Sequence, residues 1–258
     1  MIQQEKERST YAFQVPRTPF SFDIEPSLAN KGFVLFCADH YESTDIDLYS
    51  KEFQELRESY SRLPIDRFMM DKGNYRQRRF ARWKISKENM ALECLPKGEF
   101  FQSKDVNHLN GGLARSFEPI EEKIANSKLI RGLIRFHYDK LQNDHAECLV
   151  YAHQIRIIGN VSLKGNPTPE GIHRDGHAYV AQIMIGRKNV LLAQSHIYDD
   201  HQELITSCEL KKPLDSILID DQRLLHSVDP MICEGNGKWA TRDMLLLDFN
   251  PICSSSFS

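Results

Sequence analysis

The stretch Pro169-Glu-Gly-Ile-His-Arg-Asp-Gly-His-Ala-Tyr-Val180 decides how the rest of the chain is read. It closes a loop rich in Pro and Gly, Gly165-Asn-Pro-Thr-Pro-Glu-Gly171, and leads into an apolar run from Ala178 to Ile185. That change of character predicts a turn followed by a buried strand. His173 and Asp175 stand two residues apart where the run begins. On an extended strand such residues project from one face, roughly 6–7 Å apart. An imidazole and a carboxylate so placed can take neighbouring positions on one metal ion. The competing reading is a solvated turn, in which His and Asp are common.

Spacing alone does not decide between them. His137 and Asp139 repeat it within the helical pattern of Ile120, Ile124, Leu129, Leu133 and Phe136. There residues i and i+2 point to nearly opposite sides, so that pair is discounted. A distant histidine, His226, lies in Ser216-Ile-Leu-Ile-Asp-Asp-Gln-Arg-Leu-Leu-His-Ser-Val-Asp-Pro230, which reads as strand, tight polar turn and second strand. It could close a set of two His and one carboxylate, the ligand set of non-haem Fe(II) oxygenases when the remaining positions stay open. In Ala240-Thr-Arg-Asp-Met-Leu-Leu-Leu-Asp-Phe249, Arg242, Met244 and Leu246 share one strand face. An arginine on the inner face of an apolar strand needs an anionic partner, because an unpaired buried charge is costly. A bound dicarboxylate would supply that partner.

Working outward, Cys148–Ile158, Tyr179–Ile185, Asn189–Gln194, Ser216–Ile219 and Met244–Phe249 are strand candidates separated by short breaks. Such spacing suggests a sandwich or jelly roll. Upstream, Gly32–Ala38 reads as a short strand. Asp45 to Leu63 reads as a helix, capped by Thr44 or Asp45 and stopped by Pro64. Glu118 to Leu141 gives the longest helix, with Pro119 near its first turn and the acids Glu121 and Glu122 following. Its amphipathic pattern predicts packing on a sheet. The fold class is therefore α+β, a β core with buttressing helices. We expect a single domain over residues 1–258: an N-terminal arm (1–28), a mostly helical support with strands (29–145) and a β-rich catalytic core (146–252). The Ser254–Ser258 tail is expected to fray.

Composition bounds the function. With 258 residues, 41% of them hydrophobic and 27% charged, the chain is ordinary for a globular domain. A net charge of −3 argues against nucleic acid or a membrane surface as the main partner. No apolar stretch approaches the ~18 residues of a membrane span, and the polar N-terminus lacks the core of a signal peptide. Six scattered cysteines without a Cys-x-x-Cys fit neither a zinc site nor a disulfide framework. They fit reduced thiols, so a cytoplasmic protein is expected.

Two segments offer substrate contacts. Tyr75-Arg-Gln-Arg-Arg-Phe-Ala-Arg-Trp-Lys84 is the basic stretch. It reads as an anion or substrate-carboxylate site through Arg76 and Arg78, as a strand with one solvated face, or as a nucleic-acid contact. In His153-Gln-Ile-Arg156, Gln154 and Arg156 share one face and His153 and Ile155 the other. Arg156 and Gln154 are candidates for the carboxylate or ammonium of a substrate, with Arg76 and Arg78 behind them; the alternative is a surface position. His177 could face the same side as Asp175 or belong to a polar rim. His40, His108, His145, His196 and His201 are read as ordinary.

The whole pattern resembles the 2-oxoglutarate/Fe(II)-dependent dioxygenases. More narrowly, it is similar to the bacterial L-isoleucine 4-hydroxylase family of free amino-acid hydroxylases. The stretches that carry the resemblance are Phe101-Gln-Ser-Lys-Asp105, Asn110-Gly-Gly112, His153-Gln-Ile-Arg156, Gly171-Ile-His-Arg-Asp175, Lys212-Pro-Leu-Asp215, Leu225-His-Ser-Val228 and Thr241-Arg-Asp-Met244. The resemblance implies a double-stranded β-helix (jelly-roll, cupin-like) with catalytic iron held by His173, Asp175 and His226. It implies Arg242 as the partner of the distal carboxylate of 2-oxoglutarate, and Fe(II), 2-oxoglutarate and O2 as cofactors, with ascorbate as reductant in vitro. The implied reaction hydroxylates a free, aliphatic L-amino acid and converts 2-oxoglutarate to succinate and CO2. The alternatives are the same chemistry on another small metabolite, a carrier-bound residue, a peptide or RNA, and a cupin-like binding module without turnover. The expected partner is a small-molecule amino acid, not nucleic acid or membrane, and a homo-oligomer stays open. One departure stands beside the site. Relatives tend to carry Gly-Gly after the Met184-Ile185 position, whereas this chain has Gly186-Arg-Lys-Asn-Val190.

Overall fold

The computed structural model describes residues 24–42, 44–109, 111–141, 147–235 and 239–252. Of the expected N-terminal arm, residues 1–23 lie outside the described residues, as does the Ser254–Ser258 tail. In chain order the elements are α1 (Ile24–Lys31), β1 (Phe33–Phe36), α2 (Lys51–Ser59), β2 (Arg76–Ile85), β3 (Leu92–Leu95), α3 (Glu122–Ala125), α4 (Lys128–Tyr138), β4 (Cys148–Gly159), β5 (Tyr179–Lys188), β6 (Ser195–Tyr198), β7 (Leu204–Cys208), β8 (Ser216–Asp220), β9 (Leu225–Val228) and β10 (Ala240–Pro251). None of the described helices is long and apolar enough to cross a membrane.

Two sheets form, with orders β1-β8-β5-β10-β4-β2-β3 and β7-β6-β9. All their strand pairs are antiparallel. Strand alternation explains why they stack. Leu245, Leu247 and Phe249 of β10 join one apolar cluster with α2 and α4 residues such as Phe53, Leu56, Leu129 and Leu133. The alternate residue Met244 instead packs with Met184, Ile217 and Ile219 of the large sheet and Ile197 of the small one. Helices thus cover the outer face of the large sheet, and the small sheet covers its inner face. The β core with buttressing helices expected from the pattern is the observed arrangement.

Several expectations need correction. The helix expected over Asp45–Leu63 is shorter, α2 followed by one 3-10 turn at Tyr60–Arg62. Its cap is Ser50, whose hydroxyl accepts from the Phe53 amide at 3.1 Å, because Asp47 first turns the chain by accepting from the Tyr49 amide. The helix expected over Glu118–Leu141 is split into α3 and α4. Ser127 caps α4 by accepting from Ile130, and residues around Pro119 are bound to the edge of β2 through the Phe80 amide and carbonyl. The strand expected at Asn189–Gln194 is a loop, since Asn189 and Ala193 adopt left-handed φ values of 54° and 84° that end strand geometry. The next strand, β6, begins at Ser195 and lies in the small sheet.

Candidate active site

The inner face of the large sheet carries polar groups on either side of Met244 as well as the apolar layer it shares with Met184. Arg242, Met244, Leu246 and Asp248 of β10 line a cavity with His153, Ile155 and Ile157 of β4 and Arg76 and Arg78 of β2. The alternation β10 shows here is the one expected from its sequence.

His173 and His226 meet across a backbone bridge. The His173 amide donates to the His226 carbonyl at 3.0 Å and the reverse bond is 2.9 Å. Their ring centroids are 4.4 Å apart. Asp175 is not on a strand, contrary to expectation; it sits in the turn before β5, which begins at Tyr179. The turn is held from below. The Asp221 carboxylate accepts from the amides of Asp175 (3.0 Å), Gly176 (2.7 Å) and His177 (3.0 Å). Gly176 takes φ +83°, where a side chain would be strained.

The result is a cluster whose donor atoms lie within 4.8 Å of one another: His173, Asp175 and His226. His173 Nδ1 donates to the Gly171 carbonyl at 3.0 Å, so when the ring is neutral, as a metal ligand must be, its lone pair is on Nε2. That nitrogen is 3.6 Å from Asp175 Oδ1, and His226 Nε2 is 3.4 Å from Asp175 Oδ2. Burial alone would lower the pKa of His173, but hydrogen bonding and attraction from Asp175 raise it to about 9. Asp175 is held well below the usual carboxylate range against its burial, through His173 and His226. Two imidazole nitrogens and one carboxylate facing a common point, all but Asp175 buried, suit an Fe(II) ion.

Arg242 is 4% exposed, and its Nε and Nη2 have no protein partner. Burial and the nearby Arg187 depress its pKa to about 10, so it stays cationic at neutral pH. Arg187, the first residue of the Arg-Lys-Asn departure and still within β5, is itself bound to Glu209 and to the carbonyls of Val190 and Leu192. A buried guanidinium with two orphaned donors in the cavity that holds the His/Asp cluster fits the terminal carboxylate of 2-oxoglutarate.

Of the expected substrate contacts, the structure brings in Arg76 and Arg78 and excludes Gln154 and Arg156. Gln154 and Arg156 occupy the outer face of β4. Gln154 donates to Ser59 Oγ at 2.9 Å, and Arg156 makes a two-point pair with Asp243 at 2.6 and 2.7 Å. The alternation was legible; which face looks inward was not, since both faces of β4 carry polar residues. The inward residue is His153. Burial and Arg78 hold its pKa well below the ordinary value, so it is neutral. Arg78 donates to its Nδ1 at 2.7 Å, and its Nε2–H points at Asp248 Oδ2, 3.1 Å away. Arg78 is pulled down to about 9 by burial and by Arg76. Arg76 bonds Asp66 at 2.8 Å. His177 is buried rather than at a rim, bonded to Asn250 and 3.3 Å from Asp248.

Sequence reasoning passed over four further groups. Gln102 donates to the Asp175 carbonyl at 2.7 Å and accepts from Arg115 at 2.6 Å. Asp221 cradles the turn, and Glu170 and Asp248 line the cavity. Gln102 lay within one of the stretches that carried the resemblance, and Glu170 within the opening stretch. Neither had a spacing that marked it.

Comparison with known proteins matches residues 57–248 to the family described as 2OG-Fe dioxygenase. The chain is 25% identical to an L-isoleucine-4-hydroxylase of Bacillus thuringiensis over 158 residues, covering 59% of this chain and 65% of that one. It therefore spans just under two thirds of that relative. Among solved structures, it is similar to a bsmA homologue from Methylobium petroleophilum PM1 (TM-score 0.78, 26% identity, 88% of this chain and 92% of that one). It is also similar to IDO from Bacillus thuringiensis (TM-score 0.74, 18% identity, 91% and 98%).

Proposed function

The chain belongs to the 2OG-Fe dioxygenase family and is an enzyme with its double-stranded β-helix fold, and from that premise we propose that it hydroxylates a free, aliphatic L-amino acid. The observation that carries the reading is the shared cavity of the His173/Asp175/His226 cluster and the orphaned Arg242. The amino-acid half rests on the name of the hydroxylase it resembles and on the arginines Arg76 and Arg78 in the same cavity.

Fe(II) and 2-oxoglutarate supply the oxidation, in which O2 is reduced, 2-oxoglutarate gives succinate and CO2, and a C–H bond becomes C–OH. His173, Asp175 and His226 would hold the ion, and Arg242 would bind the distal carboxylate of 2-oxoglutarate. The remaining residues bind and orient. Asp221 and Gln102 fix the Asp175 backbone and so set the point from which its carboxylate reaches the cluster. Neutral His153, set between Arg78 and Asp248, holds the Arg78 guanidinium beside the Phe117 ring, 4.3 Å from its centroid. Arg78 and Arg76 would meet the substrate carboxylate. Met244, Leu246 and Phe100 give apolar walls that exclude water around the reacting carbon.

The test is succinate formation from 2-oxoglutarate by iron-loaded protein with ascorbate, across the twenty L-amino acids. Stimulation by an aliphatic amino acid, with a hydroxylated product of matching mass, supports the reading. Iron-dependent turnover that no amino acid stimulates moves the substrate elsewhere.

A further inference from the structure

Glu170 stands in the cavity with no task in the chemistry above. Its side chain is 8% exposed, and Oε2 is buried without a protein partner. Oε1 lies 3.6 Å from His173 Nε2, the nitrogen that faces the cluster. Glu170 is nevertheless outside the group whose donor atoms lie within 4.8 Å of one another. The backbone that carries it is fixed. Thr168 Oγ1 exchanges bonds of 3.0 Å with the carbonyl and amide of Val228, and the Gly171 amide donates to the Thr168 carbonyl. A carboxylate oxygen buried on a rigid turn without a donor is costly unless a ligand supplies one.

The cations of the cavity do not supply it. Arg76 is turned to Asp66, Arg78 to His153 and Arg115 to Gln102, and Arg242 lies among the groups assigned to 2-oxoglutarate. Glu170 is therefore an anionic point beside the metal cluster, in the cavity that also holds the guanidinium groups of Arg76 and Arg78. The ligand complementary to that pattern carries a carboxylate and a cationic N–H donor at once, as an amino-acid zwitterion does.

We propose that Glu170 is the substrate-binding residue that receives the ammonium group of the amino acid, and that it makes a free, protonated amine a requirement for binding. This deepens the amino-acid reading above and rests on it. Both derivatives are disfavoured: a deaminated form leaves Oε2 buried without a donor, and an N-acylated form replaces the cation with a single neutral amide N–H.

The test is calorimetric titration of anaerobic protein loaded with Fe(II) and 2-oxoglutarate, wild type and Glu170→Gln, with each of the twenty L-amino acids. The deaminated and N-acetylated forms of the tightest binder follow; for leucine these are isocaproate and N-acetyl-leucine. Wild type should bind the amino acid on the order of 10- to 100-fold more tightly than either derivative, as loss of a charged hydrogen bond implies. Glu170→Gln should lose that preference by weakening the amino acid alone. Equal wild-type affinity for the deaminated form overturns the inference even if the variant does not fold. Unchanged amino-acid affinity in a folded variant also overturns it, and leaves the amino-acid reading standing. Binding of none of the twenty by wild type removes that reading and the inference together.

Discussion

The Asp221 carboxylate holds Asp175 by its backbone, accepting the Asp175 amide at 3.0 Å while the carboxylate of Asp175 is left for the cluster. The Gly176 and His177 amides complete the cradle. Asparagine at this position would keep one acceptor and turn an NH2 group toward donors. Asp221→Asn should cost about 2–4 kcal/mol of stability, since hydrogen bonds to buried charges are lost. Iron affinity should fall about 10- to 100-fold, as for other groups that orient a metal ligand. Thermal melts and iron titration of the same variant check both. Unchanged iron affinity would show that the turn holds its shape without Asp221.

Arg242 predicts opposite effects with and without ligand. Two of its guanidinium nitrogens, Nε and Nη2, are buried without a protein partner, so Arg242→Met should leave the ligand-free protein equally stable or stabler by about 1–3 kcal/mol. The same change should raise the KM for 2-oxoglutarate on the order of 100-fold, from the roughly 2–5 kcal/mol lost when a buried charge pair is truncated. Metal binding should survive. Denaturant unfolding, succinate kinetics and iron titration separate the three.

Arg156 and Arg78 separate the two faces of the large sheet. Arg156 is paired with Asp243 toward the helices, so Arg156→Ala should cost about 1–3 kcal/mol in stability and leave the KM for the amino acid unchanged. Arg78→Ala should raise that KM by about 10-fold or more. A raised KM in the Arg156 variant would contradict the outward placement of its side chain.

Asp248 gives a pH dependence with a definite sign. Burial raises its pKa to about 7 in the folded protein. It therefore keeps a proton that the unfolded chain would lose, and its share of stability is full at acid pH and lost as pH rises through about 7. His177, also raised, acts in the same direction. His153, held low, acts in the opposite one, so the comparison has to be between variants. Relative to Asp248→Asn, the wild type should lose on the order of 1–3 kcal/mol between about pH 5 and pH 8. Urea unfolding of both proteins at the two values is the check; parallel curves would remove the shift.

What the sequence revealed follows from what periodicity records. The inward set Arg242, Met244, Leu246 and the discounting of the helical His137/Asp139 both depend only on alternation, which survives tertiary context. His137 is indeed buried in α4, bonded to the Leu133 carbonyl. The choice between the two faces of β4 was not available, because Gln154 and Arg156 are no more polar than His153 and nothing local says which side the helices cover. Asp221 and Gln102 were invisible for a related reason. Each acts through a partner far away in the chain, and a single sequence carries no mark of such pairing. The turn at Asn189–Ala193 was missed because two non-glycine residues adopt left-handed angles there.

The bridge between His173 and His226 has a consequence for how the enzyme acquires and surrenders its iron. Two donors from remote parts of the chain are already joined by reciprocal amide bonds, so the ion does not have to pull them together. Stripping the metal should then leave the scaffold intact. Reloading becomes a matter of ligand protonation and competition with other divalent ions, not of refolding.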